Sequence, residues 1–462
     1  MKPYAGLVAA TFAVLLAGCG GGSSTVATST PSAAITSVQV NLGDAPADRL
    51  LAANMHIQSL SFTTGSGGTV PLLTTGADME VMQSMGTVRP LLLENMPQGT
   101  YAGATMTFTG ATMTYMDPAS GQVMQRTLSG PMTAAVEFSP ALAVGSAPMV
   151  VNLDLDMGHS LSIDGSGNIV MTPTMTATWR AAIPGSPDPE DGGIGRMTGV
   201  VSSVSGASLH LAMLQGAADL PLMTNAATEF VGLSGMAGMG AGMLAEIDGT
   251  RQPDGTWMAS RVHALIPAGG TMAMGVVTDI TGNPPTQLVL AMQDGAGLSM
   301  MRANLAGTTT VALTGDTMFG FDADDVDLSN LPFTPRFDAA AMRSGQRVAA
   351  FSSGAMMQGG GMRGMTGGGS LAARSVQLVP QGLRGTVSGY AVSGTRSTFT
   401  LMVAADSAFA TLSGSRSVIV YQQPGTRMGP QSIANGDNVI VRGLLFVDNG
   451  AFSLVATRIA ST

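Results

Sequence analysis

A chain of 462 residues with a formal net charge of −9, 11% charged and 45% hydrophobic residues is too long for one core and too apolar for a disordered polyanion. It has no basic run to neutralise phosphates, which argues against nucleic acid as a partner. The only lysine is Lys2 and the only cysteine is Cys19, so a Walker-type loop, Schiff-base chemistry, an internal disulfide and a CxxC site are all excluded.

In chain order, Lys2 gives a short positive region, and Ala5 to Leu16 an apolar stretch of signal-peptide length, too short to span a bilayer as a helix. Leu16-Ala17-Gly18-Cys19 follows and resembles the lipobox of bacterial lipoproteins. There, small residues fit the peptidase and the thiol accepts diacylglycerol. The resemblance implies a signal peptide over residues 1–18, lipidation of Cys19, and a membrane partner held by two or three acyl chains. Gly20, rather than Asp, comes next, which by the rule of that class implies the outer membrane, facing the periplasm or the cell surface. The mature chain then carries 19 Arg against 29 acidic residues, a net charge of −10. Residues 19–34 read as a Gly/Ser/Thr tether.

From Ile35 the pattern becomes that of strands. The 62 glycines suit many short strands joined by turns. Val38, Val40 and Leu42 alternate with polar residues, as do His56 to Phe62 and Thr105 to Phe108. Val150, Leu153 and Leu155 mark another strand, and Thr174 to Trp179 the last. This predicts a β-sandwich over residues 35–183, closed by a Pro/Gly/Asp-rich linker over 184–195. The Leu42-Gly43-Asp44-Ala45-Pro46-Ala47-Asp48 segment and the Pro97-Gln98-Gly99-Thr100-Tyr101 turn resemble the bacterial domain of unknown function 4382. That resemblance implies an exported lipoprotein with a transthyretin-like sandwich, and supplies no catalytic residues. Asp44 and Asp48 are candidate metal ligands, though such residues more often cap a turn.

The second half repeats. Units open at Gly199-Val200-Val201, Gly275-Val276-Val277 and Gly385-Thr386-Val387, which are 76 and 110 residues apart. Each has a Gly-x-x-[Met/Val] strand start: Gly240 to Met243, Gly345 to Val348, Gly436 to Val439. Each closes on an Ala/Arg strand: Ala259 to Val262, Ala373 to Val376, Ala456 to Ile459. Thr228-Glu229-Phe230 and Thr317-Met318-Phe319 match in the middle, and the third unit lacks a counterpart. Unequal spacing argues against a solenoid and for three small OB-like barrels over 196–267, 272–380 and 383–462. The layout resembles a second family, domain of unknown function 5666. The expected fold class is therefore all-β, a sandwich followed by three barrels.

Methionine is the anomaly, 35 residues in all. Met236, Met239 and Met243, and Met356, Met357, Met362 and Met365, lie in glycine-rich stretches where thioethers are soft ligands suited to Cu(I) or Ag(I). A low-complexity loop without His or Cys nearby is the expected reading. Asp322, Asp324, Asp325 and Asp327 lack the EF-hand spacing and read as a solvated acidic loop. Asp154, Asp156 and His159 cluster at a strand end. Gly359 to Gly364 matches GxGxxG, but more glycine follows and no helix would form.

Four histidines, no Gly-x-Ser-x-Gly elbow and no HExxH leave no familiar hydrolase. The expectation is a lipid-anchored, non-catalytic binding or structural module of the cell envelope, without cofactor, with other envelope components as conceivable partners. Soft-metal handling by the methionine loops is the alternative, and an unfamiliar hydrolase ranks last. Oligomeric state has no signal in the sequence.

Overall fold

The computed structural model describes residues 34–45, 47–164, 168–216, 219–296, 306–324, 326–352, 370–429 and 432–461. Cys19, Asp325, Met356, Met357, Met362 and Met365 lie outside them. The fold is all-β.

The first domain holds β1 (Ile35–Ala45), β2 (Leu50–Thr64), β3 (Thr69–Leu73), β4 (Ala77–Glu80), β5 (Val88–Pro97), β6 (Gly99–Met116), β7 (Val123–Val144), β8 (Met149–Asp156), the short pair β9 (Leu161–Ile163) and β10 (Ile169–Met171), and β11 (Met175–Ala181). One sheet runs β11-β8-β1-β5, and the other β3-β2-β6-β7 with β4 also on β2. Val38, Val40 and Leu42 point inward from β1 against Met55, Ile57, Met106 and Phe108, the alternation that buries one face of each sheet. In β2 the alternation is broken by a bulge around Ile57, so Ile57, Leu60 and Phe62 are all buried despite uneven spacing. The Pro97–Tyr101 turn is fastened by the Tyr101 hydroxyl, which donates to the Pro97 carbonyl at 2.6 Å.

Three barrel-like units of six, seven and five strands follow. The first uses β12 (Ile194–Ser205), β13 (Ser208–Met213), β14 (Asp219–Met223), β15 (Glu229–Val231), β16 (Leu244–Arg251) and β17 (Trp257–Ile266). The second uses β18 (Thr271–Thr281), β19 (Gln287–Ala296), β20 (Thr308–Ala312), β21 (Met318–Phe321), β22 (Arg347–Ser352), β23 (Ser370–Ala372) and β24 (Ser375–Leu378). The third uses β25 (Gln381–Ser393), β26 (Arg396–Met402), β27 (Ser417–Met428), β28 (Asn438–Asp448) and β29 (Ala451–Ser461). The third closes in the order β25-β26-β27-β29-β28. The others repeat that order, with β14 and β15 on β17, β20 on β23 and β21 on β24, each pair parallel. A parallel third–fifth pairing in an otherwise antiparallel barrel is the OB-like arrangement.

The repeated residues earn their places by contact. A Cβ on Gly199 or Gly385 would stand 2.6 Å from the Ala212 or Met402 carbonyl oxygen, and one on Gly275 would meet Ala291 more closely still. These are the corners where the first strand turns over the second, and only hydrogen fits. The second glycine needs positive φ: Gly345 has +91° and Gly436 +95°, and each donates its N–H to the first strand, to Val277 and Val387. The first-barrel equivalent is Gly242 (φ +85°), which donates to Val201. The Gly240 alignment read from the sequence is thus two residues out of step.

A correction also applies to the third unit. The Thr228 hydroxyl donates to the Ala259 carbonyl at 2.8 Å, Thr317 to Ala373 at 3.0 Å, and Thr426 to Ala456 at 2.7 Å. Each hydroxyl also accepts the N–H three residues earlier, from Asn225, Thr314 and Gln423. The third unit therefore keeps the motif as Thr426-Arg427-Met428, with Met in place of Phe.

The four domains meet around a buried polar hub. Gln293 of the second barrel donates to the Leu51 carbonyl of the sandwich at 2.7 Å. Its own carbonyl accepts from Gln215 of the first barrel at 3.1 Å and from Gln83 of the sandwich. Arg347 donates to Gln293 Oε1 at 2.6 Å, and Arg442 of the third barrel to the Gln83 carbonyl at 3.2 Å. Apolar packing joins in, since Leu444, Phe446 and Val455 of the third barrel belong to the second barrel's core. The segment read as a linker is a packed strap: Asn41 donates to the Pro189 carbonyl at 2.7 Å, Asp188 pairs with Arg427 at 2.7 Å, and Glu190 pairs with Arg458.

Candidate functional site

A cleft of about 590 Å³ opens where all four domains and the strap converge. Part of its lining is acidic and belongs to the first barrel and the loop after β21. In the β16–β17 ladder Glu246 stands opposite His263 and Asp248 opposite Arg261, while β15 sets Glu229 beside Arg261. Arg196, at a bulge opening β12, adopts a left-handed backbone (φ 51°) and donates its backbone N–H to Asp248 Oδ1 at 2.7 Å. Its guanidinium then reaches Glu246 at 3.1 Å and also Asp322.

Asp324 pairs with Arg261 and lies 3.9 Å from His263 Nδ1. The aspartate loop is therefore no solvated loop at these two residues. It clasps the second barrel to the first, because two guanidiniums there face more carboxylates than one barrel supplies. Ligand atoms of Glu246, His263 and Asp324 all fall within 4.8 Å of one another. Burial holds the His263 imidazole below its ordinary pKa, against the pull of Glu246 and Asp324, and that favours the neutral ring a metal needs. Arg196 and Arg261 already occupy the same carboxylates, so the arrangement serves first as an ion-pair clasp.

The cleft is also lined by a wall of arginines: Arg89, Arg347 and Arg442. Arg89 donates to Gln83 Oε1 at 2.6 Å, and Arg442 to the Gln83 and Met85 carbonyls. Arg347 donates to Gln293, to the Pro380 carbonyl at 2.8 Å and to the Met274 thioether at 3.0 Å. Burial, reinforced by the neighbouring guanidiniums, holds Arg442 well below the ordinary arginine range and brings Arg347 down to about 10. Behind this wall Glu80 is fully buried and raised to about 8 by desolvation, although the Ala53, Met82 and Gln83 amides donate to it.

A second cleft, about 740 Å³, lies between the sandwich and the third barrel and is lined by Asp44, Asp154, Asp156 and His159. The parallel β1–β8 register brings the two sequence clusters together, with Gly43 opposite Asp154 and Asp44 opposite Leu155. Asp156 caps the short helix α1 (Met157–Ser160), accepting the His159 N–H at 3.0 Å and meeting its ring at 2.6 Å. Asp44 does not cap a turn. Both its oxygens are buried without a hydrogen bond, and desolvation together with Asp154 pushes its pKa well up. The Met157 amide approaches closely enough to favour the charge without completing a bond. Asp48 is elsewhere, beside Arg384 and Asp406.

Met239 is buried in the first barrel's core, with Met236 and Met243 packed against it; the Met243 sulfur accepts the Gly240 N–H at 3.1 Å. These three fill the barrel end through a 3-10 turn at 236–238, as flexible apolar side chains do. Nothing in the sequence marks Gln83, Gln215, Gln293, Arg89 or Arg442. The only cue available is that buried glutamines are rare, and burial is not visible from composition.

No curated protein matches the chain. Among solved structures, a crystallised multidomain protein with nucleic acid binding domains from Streptococcus pneumoniae aligns over 56% of this chain and 72% of that chain. The identity is 10% and the TM-score 0.11, so it carries no argument about fold or ligand. Residues 198–263, which form most of the first barrel, match the family described as Domain of unknown function (DUF5666).

Proposed function

We propose that the chain is an exported, lipid-anchored and non-catalytic binding or structural module of the bacterial envelope, its four β-domains acting as one body. The observation that carries this reading is the buried hub at Gln83, Gln215, Gln293, Arg347 and Arg442, which ties every domain to at least one other. Beads on a flexible string would have solvated, charged surfaces at those places. Polar groups buried between domains are satisfied only when the domains are docked, so the body behaves as a unit. The sandwich's likeness to domain of unknown function 4382 and the lipobox at Leu16 to Cys19 support the exported, anchored part of the reading.

Labelling cells with a fatty-acid analogue tests the anchor: the wild type takes label and Cys19→Ser does not. Calorimetry of the mature chain tests the single body, for which one cooperative transition is expected. Several separate transitions would count against it, and equal label on both proteins would remove the anchor.

A further inference from the structure

Among the described residues, the arginine wall of the central cleft has no direct ion-pair partner. Seven arginines line this cleft. Four are neutralised by direct ion pairs: Arg196 and Arg261 in the acidic clasp, Arg427 with Asp188, and Arg458 with Glu190. Among the described residues Arg89, Arg347 and Arg442 make no ion pair at all; every partner they have is a neutral amide, carbonyl or thioether.

Three guanidiniums held together in a desolvated place repel one another and lose hydration. The nearest acids, Glu80 and Asp294, act on Arg347, and Asp294 on Arg89, without a direct ion pair; both are fully buried, and burial pushes both carboxyls up, Glu80 to about 8. The arrangement is the more telling because the chain as a whole is acidic, at −9. Positive charge is gathered here against the trend of the sequence.

We propose that the cleft is an anion site, in which Arg89, Arg347 and Arg442 receive the oxyanion group of a small carboxylate- or phosphate-bearing molecule. A guanidinium presents parallel N–H donors that match two oxygens of such a group, and only a charged acceptor offsets all three positive charges. The cleft volume, about 590 Å³, suits a small molecule rather than a polymer strand. Residues of the strap and the clasp line the same cleft, so the ligand touches several domains at once and adds to the hub that joins them.

This extends the binding-module reading, and the two fail separately. Absence of anion binding leaves the acylation and single-transition results untouched. The experiment is calorimetric titration of the mature wild-type protein at pH 7 with inorganic phosphate and, separately, with citrate, against a chloride blank of equal ionic strength. Saturable binding of one or both is expected, and the arm that binds more tightly separates a phosphate from a carboxylate ligand.

Arg89→Gln and Arg442→Gln should each weaken binding at least tenfold, while Arg49→Gln, paired with Asp406 and outside the cleft, should leave it within twofold. Arg442→Lys keeps the charge without the fork and should fall between wild type and Arg442→Gln. No saturable binding by the folded wild type overturns the proposal, and so does equal weakening by Arg49→Gln and Arg89→Gln. The wild-type titration decides even if a variant fails to fold.

Discussion

The side-chain amide of Gln293 donates to the Leu51 carbonyl at 2.7 Å, across 242 positions of sequence, and both residues are buried. The same glutamine accepts from Arg347 through its other side-chain atom, so one residue satisfies groups of two domains. Replacing it by leucine keeps much of the volume and strands both partners. Gln293→Leu should cost about 2–4 kcal/mol, as two buried groups lose their bonds. Calorimetry should then show the sandwich separating from the barrels as a second transition.

The threonine key of each barrel predicts a sharp contrast. Thr426→Val removes the hydroxyl that serves the Gln423 N–H and the Ala456 carbonyl, and should destabilise by ~1–3 kcal/mol. Thr426→Ser keeps both bonds and should cost less than about 1 kcal/mol. Urea unfolding of the two variants checks the difference, and equal losses would show that the methyl group, not the hydroxyl, holds the strand.

Glu80 makes stability depend on pH. Its carboxyl is raised from 4.5 to about 8 in the folded chain, so between those values the native state holds a proton that the unfolded state has released. Stability from this group is therefore fullest below the unfolded value and falls as pH rises, by up to about 1.4 kcal/mol per unit, levelling off near pH 8. Melting temperatures from pH 5 to 9 should decline in the wild type. In Glu80→Gln the chain should melt lower at pH 5 and decline less steeply. A wild-type curve rising over that range would contradict the assignment.

Gly275→Ala should be severe, because its Cβ would drive into the Ala291 backbone. A loss of ~3 kcal/mol or more, or failure to accumulate, is expected from a clash that no side-chain rotation relieves. Gly320→Ala is the control: its Cβ would enter open space, and the change should stay within about 0.5 kcal/mol. Thermal melts of both proteins decide.

How much of this was readable in advance depends on range. The strands at Val38–Leu42 and Met106–Phe108 show in the sequence because period-two burial is a local pattern. The bulge at Ile57 is not readable, since one inserted residue leaves the composition unchanged. Thr426 is not legible as the third copy because its partner aromatic is replaced by Met428, although the hydrogen bonds are the same. Asp44 and Asp154 stood in two separate clusters, and only the parallel β1–β8 register unites them. The arginine wall draws Arg89, Arg347 and Arg442 from three domains, and no spacing rule links residues so far apart.

The register of β1 has a mechanical consequence. β1 begins at Ile35, the point where a tether from the N-terminal side would pull, and it lies between β5 and β8 in the middle of its sheet. Residues Val38 to Ala45 pair with Met149 to Asp156 along their whole length, in parallel. A force along the tether therefore loads that ladder in shear, and its bonds must give way together instead of opening one after another like a zip. Under the anchored reading proposed above, a body hung from this strand would resist being drawn apart by drag or by a neighbouring surface where that load enters it.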